Sequence, residues 1–377
     1  MLIKNAKIFT AENKFERLDI EFDSKINKLG KIEGSADIDA SDCYVIPGLI
    51  DVHTHGAVNE DASDGKPGGL EKIAQHHASH GVTSFCATTM TLKEHTLANA
   101  LKQIRDFKRP ESGARCAGVY LEGPFFSYEK RGAQAADNLH DPDIGMFERL
   151  NEMSGNNIRI ACVAPERPNA MDFIEHVSKK CTVSIAHSTA DYDISVTAFK
   201  AGAKQVTHLF NGMNPLLHRA PGLVGAASDY ASYAELICDG LHIHPAVIRA
   251  AFKMLEDRII LISDSLRCAG MPDGEYELGG QPIIMENGKA TLLDGTLAGS
   301  SITVFDAMRN VVSFGIPLEK AVAAASRLPA EALGLQDTIG SLETGKNADM
   351  VVLDYDLNLL LTIIDGKIVN RSGKFKN

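Results

Sequence analysis

The sequence predicts an α/β protein: a (β/α)8 TIM-like barrel over residues 47–344, with a small β-sandwich assembled from the two chain ends, 1–46 and 345–377. Three observations predict it. Short, nearly continuous apolar runs alternate with helix-length amphipathic stretches, both ends show period-two patterning, and polar residues collect where the apolar runs finish.

The eight runs are VIPGLIDVH (45–53), VTSFCAT (82–88), CAGVYLE (116–122), IRIACVA (158–164), CTVSIAH (181–187), AKQVTHLF (203–210), YAELICD (233–239) and RIILISD (258–264). Their Val, Ile, Leu, Ala and Cys content suits strands buried on both faces. Helix-like stretches lie between them, such as 68–81, 91–107 and 168–180, and a further one, 301–315, follows the last run. Eight such units close into a barrel through right-handed crossovers. A doubly wound open sheet is the competing reading, but no GxGxxG follows a strand. At the N-terminus, LIKNAKIFT, RLDIEF and YVI alternate apolar and polar residues, with turn-like NKLGKIEG between them. Residues 348–377 behave likewise, with a DG turn at 365–366, so half-buried antiparallel strands fit both ends. Residues 274–296 read as a β-hairpin inserted after the eighth strand, with its NG turn at 287–288.

Lys and Arg total 38 against 49 Asp and Glu, a formal charge of −11, which argues against a nucleic-acid or membrane-surface partner. An anionic ligand would need a local basic site set against that field. No apolar stretch is long enough for a membrane span and the N-terminus lacks a signal-peptide pattern. Seven cysteines without a CxxC pair fit a reducing, cytoplasmic setting better than a disulfide framework.

His53 and His55 close the first run, Glu122 the third, His187 the fifth and Asp264 the eighth, and His208 lies in the sixth. Residues i and i+2 of a strand face the same way, so His53 and His55 both point into the barrel mouth, where barrel enzymes place their chemistry. Imidazole nitrogens and carboxylate oxygens are ligands for zinc or divalent iron in an open catalytic site. His76, His77 and His80 read differently. They end a helix before Gly81, where the helix dipole favours histidine, on the side away from the mouth. An anion site is expected from Asn211-Gly212 backbone N–H groups, the Arg219 guanidinium and His242.

PGLIDVHTHG (47–56), the β-rich ends and GKNADMVVLD (345–354) resemble the amidohydrolase superfamily of metal hydrolases. LEGPF (121–125), AHSTA (186–190), THLFNGM (207–213), DGLH (239–242) and LAGSS (297–301) are similar to its sugar-phosphate deacetylases, and the resemblance runs from the first strand to the last. It implies hydrolysis of the acetamide of N-acetylglucosamine 6-phosphate to glucosamine 6-phosphate and acetate, or the same reaction on the N-acetylgalactosamine epimer. It implies Glu122, His187 and His208 as principal metal ligands, with His53 and His55 at the second position of members that retain His-x-His. One or two divalent cations per subunit (zinc, iron, manganese or cobalt) would bind there. It further implies Asp264 as the catalytic aspartate and Asn211, Gly212, Arg219 and His242 as phosphate contacts, in a homodimer whose arginine reaches the neighbouring subunit's site. IRIACVAPE offers no lysine, which disfavours a superfamily relative with a carboxylated lysine on strand four, and the resemblance then implies Glu122 in the bridging role. Gln134 stands where some members carry a histidine that polarises the substrate carbonyl; its amide can donate a hydrogen bond but cannot change charge.

Overall fold

The structure, a computed structural model, describes residues 1–375. The two chain ends share one eight-stranded sheet. Lys367–Arg371, Leu359–Ile364, Met350–Asp354, Cys43–Pro47, Leu2–Phe9, Phe15–Phe22 and Ile26–Gly30 lie in that order, and Ile38–Asp39 pairs beside Leu2–Phe9. The sheet folds over its own core of Ile3, Ile8, Ile20, Phe22, Val45, Met350, Val352 and Leu361, and Lys25, just before the edge strand Ile26–Gly30, bridges to Asn347, just before Met350–Asp354. Two sequence expectations change here. The run 45–53 is shared between two sheets, and the first half of the turn-like NKLGKIEG is strand, because Ile26–Gly30 pairs with Phe15–Phe22. At Gly48, the junction between sheets, a Cβ would stand 2.2 Å from Thr83 Oγ1, so only glycine lets the strands approach.

The barrel strands are β1 (Leu49–Thr54), β2 (Val82–Thr88), β3 (Arg115–Leu121), β4 (Ile158–Val163), β5 (Thr182–Ile185), β6 (Gln205–Val206), β7 (Tyr233–Ile237) and β8 (Ile259–Ile262). They are parallel and paired in sequence order. Closure of β8 onto β1 rests on Asp264 N–H to His53 C=O at 2.9 Å, His55 N–H to Ser265 C=O at 2.9 Å and a Thr54–Ser265 bridge. Helices α1 (Gly69–Ser79), α2 (Glu94–Asp106), α3 (Ile144–Met153), α4 (Ala170–Val177), α5 (Tyr192–Ala201), α6 (Gly222–Tyr230), α7 (Pro245–Leu255) and α8 (Val304–Ser313) follow the strands. Their starts are encoded locally: Asp143 and Asp191 cap α3 and α5, and Thr303 with Asp306 forms a capping box on α8. Two short helices, α9 (Leu318–Ala325) and α10 (Arg327–Ala332), end the barrel portion, and Leu328, Ala330 and Leu333 pack with Ile50, Val52 and Ile260 of the barrel interior.

The insertion after β8 is larger than the expected hairpin. Gly274–Leu278, Gln281–Glu286, Lys289–Leu292 and Leu297–Gly299 form a four-stranded antiparallel sheet with turns at Gly279-Gly280 and Asn287-Gly288. Its last strand returns beside β8, where Ser300 N–H donates to Asp264 C=O at 2.8 Å. Among the described residues, no helix is long and apolar enough to cross a membrane.

His76, His77 and His80 end α1 as expected, at the end tied to the terminal sheet by Asn370 donating to Ser79 C=O. His77 is buried and stacked on Phe85 at 5.0 Å with neither ring nitrogen hydrogen-bonded. Burial holds its pKa well below the usual value, and burial together with His80 lowers that of His76 to about 4. Both rings are therefore neutral in the folded chain, whereas the unfolded chain takes up protons below pH 6.5. The stability from keeping them neutral is full above pH 6.5 and is lost as pH falls toward 4. His77→Phe, which keeps the stacking, is expected to move the acid-unfolding midpoint, followed by circular dichroism, to lower pH; an unmoved midpoint contradicts this account.

Candidate metal centre and active site

Six of the side chains singled out from sequence converge at the C-terminal mouth of the barrel. Glu122 is central. Its Oε1 lies 3.3 Å from His187 Nε2 and 3.2 Å from His208 Nε2, and its Oε2 lies 3.2 Å from His55 Nε2. Asp264 Oδ1 stands 3.4 Å from both His53 Nε2 and His55 Nε2. The donors fall into two groups, His53–His55–Asp264 and Glu122–His187–His208, all buried.

These groups fit divalent cations for a reason of hydrogen count. His187 Nδ1 faces Lys130 C=O at 2.8 Å and His208 Nδ1 faces Asn211 C=O at 3.2 Å. A carbonyl only accepts, so both protons sit on Nδ1 and both Nε2 atoms present lone pairs. Those lone pairs face each other across 3.1 Å with a carboxylate beside them. Donors about 2.0–2.2 Å from one cation stand about 3.0–3.5 Å apart, which is the spacing found. His53 Nδ1 is likewise held by Glu235 at 3.0 Å, leaving its Nε2 buried without a hydrogen-bond partner.

The backbone is bent to aim these groups. His187, His208 and Asp264 have φ of 46°, 29° and 49°, left-handed values that cost a non-glycine residue about 1–2 kcal/mol. Each is pinned through its carbonyl, by Ser127, Asn211 and Ser300 N–H respectively. At Gly212, with φ 62°, a Cβ would stand 2.9 Å from His187 Nδ1, so this turn requires glycine. Burial opposes the charge on Glu122 and Asp264, yet the surrounding imidazoles outweigh it and hold both below the usual carboxylate range. Burial also opposes protonation of His53, but Asp264, Glu235 and Glu122 outweigh it and raise that ring to about 9 in the cation-free site, so a cation bound at Nε2 would displace a proton there.

A cleft of about 250 Å³ opens above the donors. His55, Glu122, Gln134, His187, His208, Asn211, Gly212, His242 and Asp264 line it, with Thr296–Gly299 of the insertion at its rim. His242 Nδ1 pairs with Asp239 Oδ2 at 2.6 Å. Gln134 is more committed than its sequence position suggests. Its Oε1 accepts from Thr91 N–H at 2.8 Å, which turns the NH2 onto Glu122 Oε2 at 2.7 Å. Arg219 is not brought in. It is exposed on the loop after β6, with Nη1 2.6 Å from His218 Nε2, beside a surface groove shared with Asp191 and Tyr192. Eight residues of separation from Asn211 did not mean proximity, because the loop runs outward over α5. No lysine or arginine lines the cleft among the described residues.

Three buried or half-buried carboxylates escaped the sequence reading. Glu235 on β7 supports His53; Glu166 accepts from Ser188 Oγ at 2.6 Å and Thr189 N–H at 2.5 Å, fixing the turn after His187. Asp51 Oδ1 accepts from the His53 and Ser263 N–H groups, and burial raises its pKa to about 7. A lone acid inside an otherwise apolar strand, as in YAELICD, was the available signal for Glu235.

The fold and these donors define a class, and comparison with known proteins agrees: residues 44–369 match the model of the amidohydrolase family, and the chain belongs to that family. Within it, the chain is 38% identical over 328 residues to the N-acetylgalactosamine-6-phosphate deacetylase of Escherichia coli O157:H7, covering 86% of this chain and 87% of that one. It is 37% identical to the N-acetylglucosamine-6-phosphate deacetylase of Vibrio furnissii, covering 86% and 82%. A variant N-acetyl-D-glucosamine-6-phosphate deacetylase from Mycobacterium smegmatis, solved in complex with N-acetyl-D-glucosamine-6-phosphate, superimposes with a TM-score of 0.93 at 30% identity, covering 98% and 99% of the two chains.

Proposed function

We propose that this chain hydrolyses the acetamide of N-acetylglucosamine 6-phosphate, releasing acetate and glucosamine 6-phosphate. The observation that carries this reading is the two donor groups side by side on the cleft floor, His53–His55–Asp264 and Glu122–His187–His208, with Glu122 reaching His55 as well. The deacetylases to which the chain is similar supply the substrate class. Glu122, His187 and His208 would hold one divalent cation, and His53, His55 and Asp264 a second. Zinc, iron, manganese and cobalt all suit such donors. A cation bound there lowers the pKa of water to about 7 and polarises the acetyl carbonyl.

The residues of the chain do the rest. Asp264, a buried carboxylate at the mouth beside His53 and His55, accepts a proton from the attacking water. It returns that proton to the amide nitrogen as the C–N bond breaks, since the amine leaves only once protonated. Gln134 keeps Glu122 oriented, and His242 with the N–H groups of the Asn211-Gly212 turn faces the phosphate end. Binding energy from that remote end positions the acetamide. Acetate release from the sugar phosphate by cation-loaded protein tests the reading; release no greater than that of Asp264→Asn rejects it. The Escherichia coli relative makes the galactosamine epimer the second reading, so kcat/KM on both epimers is measured in parallel.

We place the chain in the cytoplasm, where its seven free thiols stay reduced. We also propose a homodimer in which Arg219 completes the partner's phosphate site. Arg219→Ala is expected to raise KM with little change in kcat. Mixing it with Asp264→Asn is expected to restore low-KM turnover, because a mixed dimer has one site with both residues. No restoration in mixed dimers would place Arg219 elsewhere.

A further inference from the structure

We propose that Glu235 is a positioning residue that makes the His53–His55–Asp264 group a second cation site in this chain; the proposal rests on reading the converging donors as metal ligands. Glu235 is fully buried in the middle of β7. A carboxylate placed there is unfavourable unless its oxygens are matched, and two of its three partners belong to the donor residues. Oε2 accepts from His53 Nδ1 at 3.0 Å and from the His208 backbone N–H at 3.3 Å, while Oε1 accepts from Gln205 Nε2 at 2.5 Å.

A carboxylate on Nδ1 fixes the tautomer that leaves the Nε2 lone pair facing the cleft, and it makes the ring a more basic ligand. Tyr120, 4.4 Å from the His53 ring, holds the ring orientation from another side. Charge points the same way. Glu122, Asp264 and Glu235 are three carboxylates, and no lysine or arginine lines the cleft among the described residues. One divalent cation leaves a net charge of about −1 among these three carboxylates, so the site still attracts a second.

The test counts cations per chain by elemental analysis after loading with zinc and desalting, then follows their release against a chelator. Wild type is expected to hold two. Glu235→Gln is isosteric, and Gln205 Oε1, which has no partner, can accept from the new NH2 once its own amide turns. This variant is expected to keep one cation firmly and release the other about 10- to 100-fold more readily. If it does not fold, Glu235→Asp, which keeps the charge but withdraws it from Nδ1, is expected to loosen the same single cation. A merely structural role lowers the melting temperature without separating the two release steps, and that result overturns the proposal. So do unchanged release of both cations and a wild-type chain holding only one, which leaves the Glu122 group standing as a metal site. A wild-type chain that holds none removes the metal reading as well.

Discussion

Asp264→Asn is expected to lower kcat by roughly 10²- to 10⁴-fold while KM stays within a few-fold of wild type, the range that a positioned proton-transfer group contributes. The asparagine keeps the shape of the side chain and an oxygen toward the imidazoles, so the loss isolates the proton. In the native chain, Asp264 is buried with its Oδ1 3.4 Å from two imidazole nitrogens, and its carboxylate oxygens can accept a proton. An amide can neither take the proton from water nor deliver it to the leaving nitrogen. Steady-state kinetics on the sugar phosphate, with cation content measured on the same preparation, separates this loss from loss of metal. A kcat within tenfold of wild type, at full cation content, would mean that another group moves the proton.

Glu122→Gln is expected to have the larger effect on the site itself. The carboxylate reaches the Nε2 atoms of His187, His208 and His55 at 3.2–3.3 Å, with His53 Nε2 at 3.7 Å, and accepts from Gln134. An amide has only one acceptor oxygen to share among these contacts. Its NH2 faces either the Gln134 NH2 or the imidazole pair, and the negative charge that joined the two groups is gone. Cation content is expected to fall below one per chain and kcat/KM by about 10³-fold or more, since a metal's charge stabilisation is worth several kcal/mol. Retention of wild-type cation content would show that the imidazoles alone suffice.

The barrel was legible because its strands are buried on both faces and so read as unbroken apolar runs, with His53, Glu122, His187 and Asp264 standing out where those runs stop. Adjacent positions on a strand also carried geometric meaning: two residues of separation placed His53 and His55 on one face. What stayed hidden depended on contacts between segments distant in sequence. Gly48 divides one apolar run between two sheets only because Thr83 lies against it. Asn27–Gly30 reads as a turn by composition, yet pairing with Phe15–Phe22 makes it part of a strand. Glu235 acquires its role from His53, 182 residues away, and Arg219 loses a place in its own chain's cleft to an outward loop.

The central claim is that Glu122, His187 and His208 share a cation. Crystals grown with zinc and measured on both sides of the zinc absorption edge test it most directly. The account expects an anomalous peak about 2.0–2.3 Å from Glu122 Oε1, His187 Nε2 and His208 Nε2. No peak at that point under saturating zinc, with the three side chains bonded only to one another, would contradict it.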